Sequence, residues 1–380
     1  MINKKKQIGD SLICFAVFLQ PVLILFQHVL IGVYHMDISD TTVYRVAFTA
    51  IPIVIALFIT AYRNFFRLFV TYLVAVFVLL MTVFMFPDNE PYVMTQGVRF
   101  LLSVVIPSAL CLTTVYEIEI VWKMMKVLSW VAAVLVLFYV VTLFAGVFFI
   151  EDYDMSFSYA CLMPMLVLYA QKRPITIFAS IFIFLSVIAI GSRGAAIIFV
   201  AYVVLDFFRN KNKWRFLFLL IGVLFIVLFP LFISGLENIG ITSRTITMFN
   251  SGKVMDDSSR TKVYDYFISQ LLDNPLLGIG LFGDRIVTNG SYCHNIFLEI
   301  CLNWGIVMGP ILIIIVFYNI IKTYINLCPQ NKDLYLIFIF IGTLPFMFSC
   351  SYLIDNGFAF LMGMTFLLSS NRHLEQQQKK

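Results

Sequence analysis

Residues 174–209 read PITIFASIFIFLSVIAIGSRGAAIIFVAYVVLDFFR. Two apolar runs, near 174–191 and 193–208, are joined by Gly191, Ser192, Arg193 and Gly194 with almost no loop between them. Such runs are much longer than the ~10-residue alternating strands of an outer-membrane barrel, so helical spans are expected. The pattern recurs along the chain. With 61% hydrophobic residues, 12% charged residues and a mean hydropathy of +0.94, the 380-residue chain lacks the polar surface that a water-soluble globule needs.

Further spans are expected near 8–28, 43–61, 66–86, 98–116, 127–150 and 156–170, and then near 215–234, 294–321, 334–349 and 354–370. The fold class is therefore an all-α, polytopic bundle of about twelve transmembrane helices, with one large outward loop between spans 9 and 10. The domain plan is 1–234 for spans 1 to 9, 235–293 for the loop, and 294–380 for spans 10 to 12 with a short cytoplasmic tail. Met1–Lys6 is basic ahead of an apolar run, but Gln20-Pro21 and the absence of a small-residue cleavage site favour a retained first span over a signal peptide.

Basic residues in short loops stay in the cytoplasm. With both termini on one side, that side collects 18 of the 26 Lys and Arg, including Lys4–Lys6, Arg63, Arg67, Lys123, Arg173 and Arg209. The opposite short loops are acidic, with Asp37, Asp40, Asp88, Glu90, Glu151, Asp152 and Asp154. Both termini are accordingly expected in the cytoplasm of a bacterial inner membrane. The net charge of +5 reflects this orientation and implies no nucleic-acid partner. Five of the seven cysteines lie in or at the ends of spans, and no CxxC or Cys/His spacing points to zinc.

Within the long loop, Asp256–Ser259 supply a helix start and Asn274-Pro275 a stop, which predicts an amphipathic helix near 258–273. Tyr264, Phe267, Ile268 and Leu271 form its apolar stripe, and Arg260 stands on the same line. Gly278, Gly280 and Gly283 spell GxGxxG, but no strand precedes them, so they mark an outward turn rather than a dinucleotide site.

Arg193, Arg244, Arg260 and His294 project to one side, together with Arg45 and Arg99 at the outer ends of their spans. Each taken alone has an ordinary explanation: an interfacial Arg snorkels or pairs with an acid, and a membrane-edge His is usually a hydrogen-bonded bystander. Their convergence favours a site on the outer face. Glu299 lies five residues beyond His294, about 140° around a helix, so direct contact between them is not expected.

The run Arg260 to Gly280, with Asp273-Asn274-Pro275-Leu276-Leu277-Gly278-Ile279-Gly280, then His294-Asn295-Ile296-Phe297-Leu298 and Gly305, resembles the superfamily of O-antigen ligases and Wzy-like O-antigen or capsular polysaccharide polymerases. Ser192-Arg193-Gly194 resembles it too, and the specific part covers about residues 191–310. The resemblance implies a glycosyltransferase of the outer leaflet that uses glycans carried on undecaprenyl diphosphate, with no cofactor, nucleotide sugar or metal. His294 is then the catalytic base. Arg193, Arg260 and Arg244 bind the diphosphate, with Glu299, Arg99 and Asn295 in support. Partners would be the lipid-linked oligosaccharide, membrane lipids, and a flippase and chain-length regulator of the same pathway. The polymerase, as the commoner activity, is the first reading; a ligase acting on lipid A core or protein is the second. A flippase or transporter is the third, although no clear internal repeat supports it.

Overall fold

The apolar runs fold as helices, and no strand occurs among the described residues. The structure, a computed structural model, describes residues 2–102, 105–148, 155–190, 192–209 and 258–378. Helices cover every expected span except 215–234, which lies outside the described residues, as does Arg244. Among the described residues six helices are long and apolar enough to cross a membrane; Met155–Ala170, Pro174–Ile190 and Asn356–Ser370 are shorter apolar helices. Large apolar side chains stand outward, with Phe66, Phe84 and Ile314 all exposed. Exposure on this scale fits lipid and would be a liability in water.

The helix Ile38–Met85 holds two of the expected spans and bends at Asn64, whose backbone is non-helical (φ −155, ψ 72). Asn64 Oδ1 accepts from Arg67 N at 3.1 Å and so caps the second half.

The chain divides into two units. One comprises 1–19, 47–124 and 257–380. In it the helix Asn356–Gln378 packs between Val105–Leu112 and Pro329–Phe348. Gly342 and Gly363 permit these approaches, since a Cβ on either would overlap a neighbouring backbone or Leu side chain. At one edge Asp10, buried, accepts from Arg63 Nη1 at 2.5 Å and from the backbone N–H groups of Tyr116 and Glu117 at 3.0 Å each. Arg63 also donates to the carbonyls of Thr114 (2.7 Å) and Lys6 (3.1 Å). The Arg63 cluster thus ties the first helix, the bend and the 113–117 turn together.

The other unit comprises 20–46 and 125–256. Its described part includes Met155–Ala170 packed against Pro174–Ile190 and Arg193–Arg209. Ser180 Oγ donates to Met165 O at 2.8 Å across that packing, and Lys172 pairs with Asp206.

Candidate functional site

The helix Ile296–Asn326 is the scaffold of the site, and it is broken. Gly305 sits in the left-handed region (φ 78) inside it. A break in a helix orphans backbone groups that must find other partners. Here the loop after the helix Ser258–Asp273 supplies them: Ile306 N donates to Pro275 O at 2.7 Å, and Ile279 N donates to Leu302 O at 2.7 Å. Gly278 (φ 67) faces Leu302 O so closely that a Cβ would overlap it, and a Cβ on Gly305 would overlap Leu276 O. Asn89 Nδ2 holds the loop from the far side, donating to Ile279 O (2.8 Å) and Leu281 O (3.0 Å). Of the GxGxxG run, Gly278 therefore serves a close backbone crossing, while Gly280 makes room for the Phe86 ring. The helix Ser258–Asp273 adds Phe267 and Leu271 to the same packing, against Cys293 and Leu302, while Ile268 of its apolar stripe is exposed.

Ahead of the scaffold the backbone turns sharply. Phe282, Asn289 and His294 all have positive φ (63, 51 and 58). Non-glycine residues in this region are uncommon and cluster where a structure holds functional groups in place. Asn295 then caps the helix, its side chain accepting from Phe297 N (3.0 Å) and Leu298 N (3.3 Å).

His294 is partly buried. Its Nδ1 lies 3.1 Å from the carbonyl oxygen of Ser349, and its ring packs on Tyr292 with centroids 4.4 Å apart. A carbonyl only accepts, so Nδ1 carries the proton of this bond. In the neutral ring the lone pair is then on Nε2, the tautomer a base requires.

Behind His294 lies a cluster that the sequence reading missed. Arg285 is wholly buried, at 0% exposure. Its Nη1 is paired with Asp284 and with Glu299 Oε1 (2.9 Å), Nη2 donates to Ser351 Oγ (2.7 Å), and Nε donates to Gln96 Oε1 (3.2 Å). Its guanidinium faces the rings of Phe282 (5.2 Å) and Tyr292 (5.6 Å). Gln96 stands on a π-helical turn, Val93–Gly97, a widened turn often found at functional sites. Asp284 Oδ2 accepts from Cys293 N at 3.1 Å. Ser351 Oγ donates to Glu299 Oε1, while among the described residues Glu299 Oε2 has no hydrogen-bond partner.

Electrostatics bind this group to the 349–355 connection. Burial opposes the charge of Arg285, but Glu299 and Asp284 outweigh it and hold its proton more tightly than usual. Burial pushes the Asp355 carboxyl up, against the Ser351 N–H that it accepts at 2.9 Å and the charges of Arg99 and Arg285. Burial likewise raises the Tyr292 phenol.

Of the residues selected from sequence, His294, Asn295 and Glu299 stand together at the head of the scaffold helix, and Arg99 acts on Asp355 beside them. Arg260 lies in the first turn of Ser258–Asp273; its side chain, like all of Arg244, is outside the described residues. Arg193 belongs to the other unit and opens the helix Arg193–Arg209. Ser192 caps that helix, its Oγ accepting from Gly194 N at 3.2 Å while its N–H donates to Ser158 Oγ at 2.5 Å. A guanidinium at a helix start is a combination suited to anions. Arg285 could have been found by asking what neutralises Glu299, a carboxylate in the first turn of an apolar helix. Among the described residues no group of three or more His, Cys, Asp or Glu could hold a metal ion.

A search of curated proteins returns no match. A sequence family described as O-antigen ligase matches residues 178–314. That span runs from the helix ahead of Ser192-Arg193-Gly194 to the second half of the broken scaffold, and it takes in Arg193, Arg244, Arg260, Arg285 and His294. Over this segment, a little over a third of its length, the chain is similar to the O-antigen ligase family.

Proposed function

We propose that the protein is a polysaccharide polymerase on the outer face of the bacterial cytoplasmic membrane. It moves a growing glycan from undecaprenyl diphosphate onto the next lipid-linked repeat unit. The family indicates ligase- or polymerase-type chemistry on a lipid-linked polysaccharide. The observation that supports the reading is the 3.1 Å approach of His294 Nδ1 to Ser349 O, an acceptor, from which we assign the proton to Nδ1 and the lone pair to Nε2.

In the proposed step the acceptor hydroxyl oxygen bonds to the anomeric carbon of the donor sugar, and its proton passes to Nε2 of His294. The bond from that carbon to the diphosphate oxygen breaks, and its electron pair leaves with the lipid diphosphate. Arg193, Arg260 and Arg244 offset the charge that develops there, a task for which the guanidinium fork is suited without a metal ion. Arg99 and Asn295 lend support, Asn295 by fixing the helix that follows His294. Glu299 acts through Arg285, its ion-pair partner.

A ligase would share donor, leaving group and base and differ only in acceptor. The two are separated by following lipid-linked glycan length in a strain lacking the gene. Single repeat units accumulate if the protein is a polymerase. Long unattached chains would instead mark a ligase and sink the polymerase reading.

A further inference from the structure

Two separate contacts orient the ring of His294, and both lead back to Arg285. The first is the Ser349 carbonyl that accepts from Nδ1. Ser349 opens the 349–355 connection, and that connection is fastened at Ser351. The Ser351 hydroxyl accepts from Arg285 Nη2 and donates to Glu299, while its N–H is held by Asp355. The second is the Tyr292 ring, which packs on His294 at 4.4 Å and lies 5.6 Å from the Arg285 guanidinium. Tyr292 is followed by Cys293, whose N–H is fixed on Asp284, the other acid paired with Arg285.

We propose that Arg285 is a positioning residue for transfer at His294: by fixing both the Ser349 carbonyl and the Tyr292 ring, it holds the imidazole with Nδ1 protonated and Nε2 presenting its lone pair. The inference rests on the reading of His294 as the base. A planar guanidinium with five donors suits this task, because one group must meet two carboxylates, a hydroxyl and an amide at fixed angles. An ammonium would lose the fork. A purely structural ion pair would hold the segments together equally well but would leave the imidazole's reactivity untouched, and that difference is measurable.

The test uses the full-length protein in lipid nanodiscs with lipid-linked repeat units as substrate, comparing wild type with Ser351→Ala, Arg285→Lys and Arg285→Gln. Ser351→Ala removes one hydroxyl and is the variant expected to keep the fold. Its kcat should fall by roughly 10- to 100-fold, by analogy with the loss of outer-shell partners that orient metal-bound histidines, while KM for the lipid-linked donor stays within about twofold. Arg285→Lys should recover part of the kcat lost in Arg285→Gln.

A second measurement needs no glycan transfer. Carbethoxylation of His294 by diethyl pyrocarbonate, followed by mass spectrometry, reads the imidazole directly and should change in rate in both Ser351→Ala and Arg285→Gln. If these variants lose only the yield of folded protein, with kcat per folded molecule and carbethoxylation unchanged, the positioning role is overturned. If His294→Ala transfers normally, the reading of His294 as base has failed and the role of Arg285 in transfer falls with it, even where carbethoxylation still depends on Arg285.

Discussion

Two buried arginines in the same unit of this chain have opposite kinds of company. Arg63 meets one acid, Asp10, lies over the Tyr116 ring at 4.5 Å, and donates to the carbonyls of Thr114 and Lys6, so its hydrogen-bond partners besides Asp10 are backbone. Arg285 meets two acids, Asp284 and Glu299, and then the side chains of Gln96 and Ser351. Counted as ionised, the first pair is neutral and the second group carries one excess negative charge. Backbone acceptors are available at any turn, so an arginine that uses them secures chain geometry. Side-chain acceptors brought from three distant segments fix side chains instead, and here the side chains lie beside His294. Burial of an arginine is thus weak evidence of function until its partners are named.

The largest effect expected is at the residue which the second cluster serves. His294→Ala should lower glycan transfer by about 10²- to 10⁴-fold, the range for loss of a general base, with the protein still inserted and abundant. Transfer at the normal rate would remove the contrast between the two arginines. Next, Arg285→Ala and Arg63→Ala should each destabilise the protein by about 3–5 kcal/mol, because each strands a buried carboxylate. Unfolding in detergent would measure this. The sharpening lies in the activity of the folded fraction, which should fall for Arg285→Ala and hold for Arg63→Ala.

Arg260→Lys should weaken transfer by roughly tenfold while charge is conserved, since a point charge replaces a fork; equal rates would argue that Arg260 is as structural as Arg63. Smallest is a pair of glycines. Gly146 (φ 71) has open space where a Cβ would go, so Gly146→Ala should show only the left-handed strain, about 1–2 kcal/mol. Gly305→Ala adds an overlap with the Leu276 carbonyl and should cost more, read as a lower unfolding midpoint.

The helical membrane architecture was readable because each expected span is a long local run, and local runs are what hydropathy measures. Breaks were another matter. Gly305 lies within an apolar stretch and gives no local sign of ending a helix; the Ile306 N–H and Leu302 carbonyl that flank it pair with Pro275 and Ile279, 31 and 23 residues earlier. The same holds within the site. His294, Asn295 and Glu299 stand out as polar residues at the edge of an apolar run. What they touch does not, because the acceptor for His294 is 55 residues away. Arg285 does not stand out, because an Asp-Arg pair beside a glycine is ordinary in a solvated turn. Its burial depends on Gln96 and Ser351, 189 and 66 residues distant.

The crossing of Gly278 and Gly305 also has a consequence for the order in which the chain is made. Pro275, Ile279, Leu302 and Ile306, whose backbone groups close it, are all synthesised before Ser349 and Ser351. The broken scaffold is therefore chemically complete while the acceptor for His294 and the hydroxyl for Arg285 are still unborn. A chain that stops at Asn326, where the scaffold helix ends, would carry the whole segment matched by the family, yet it would leave the histidine without the Ser349 carbonyl that sets its tautomer.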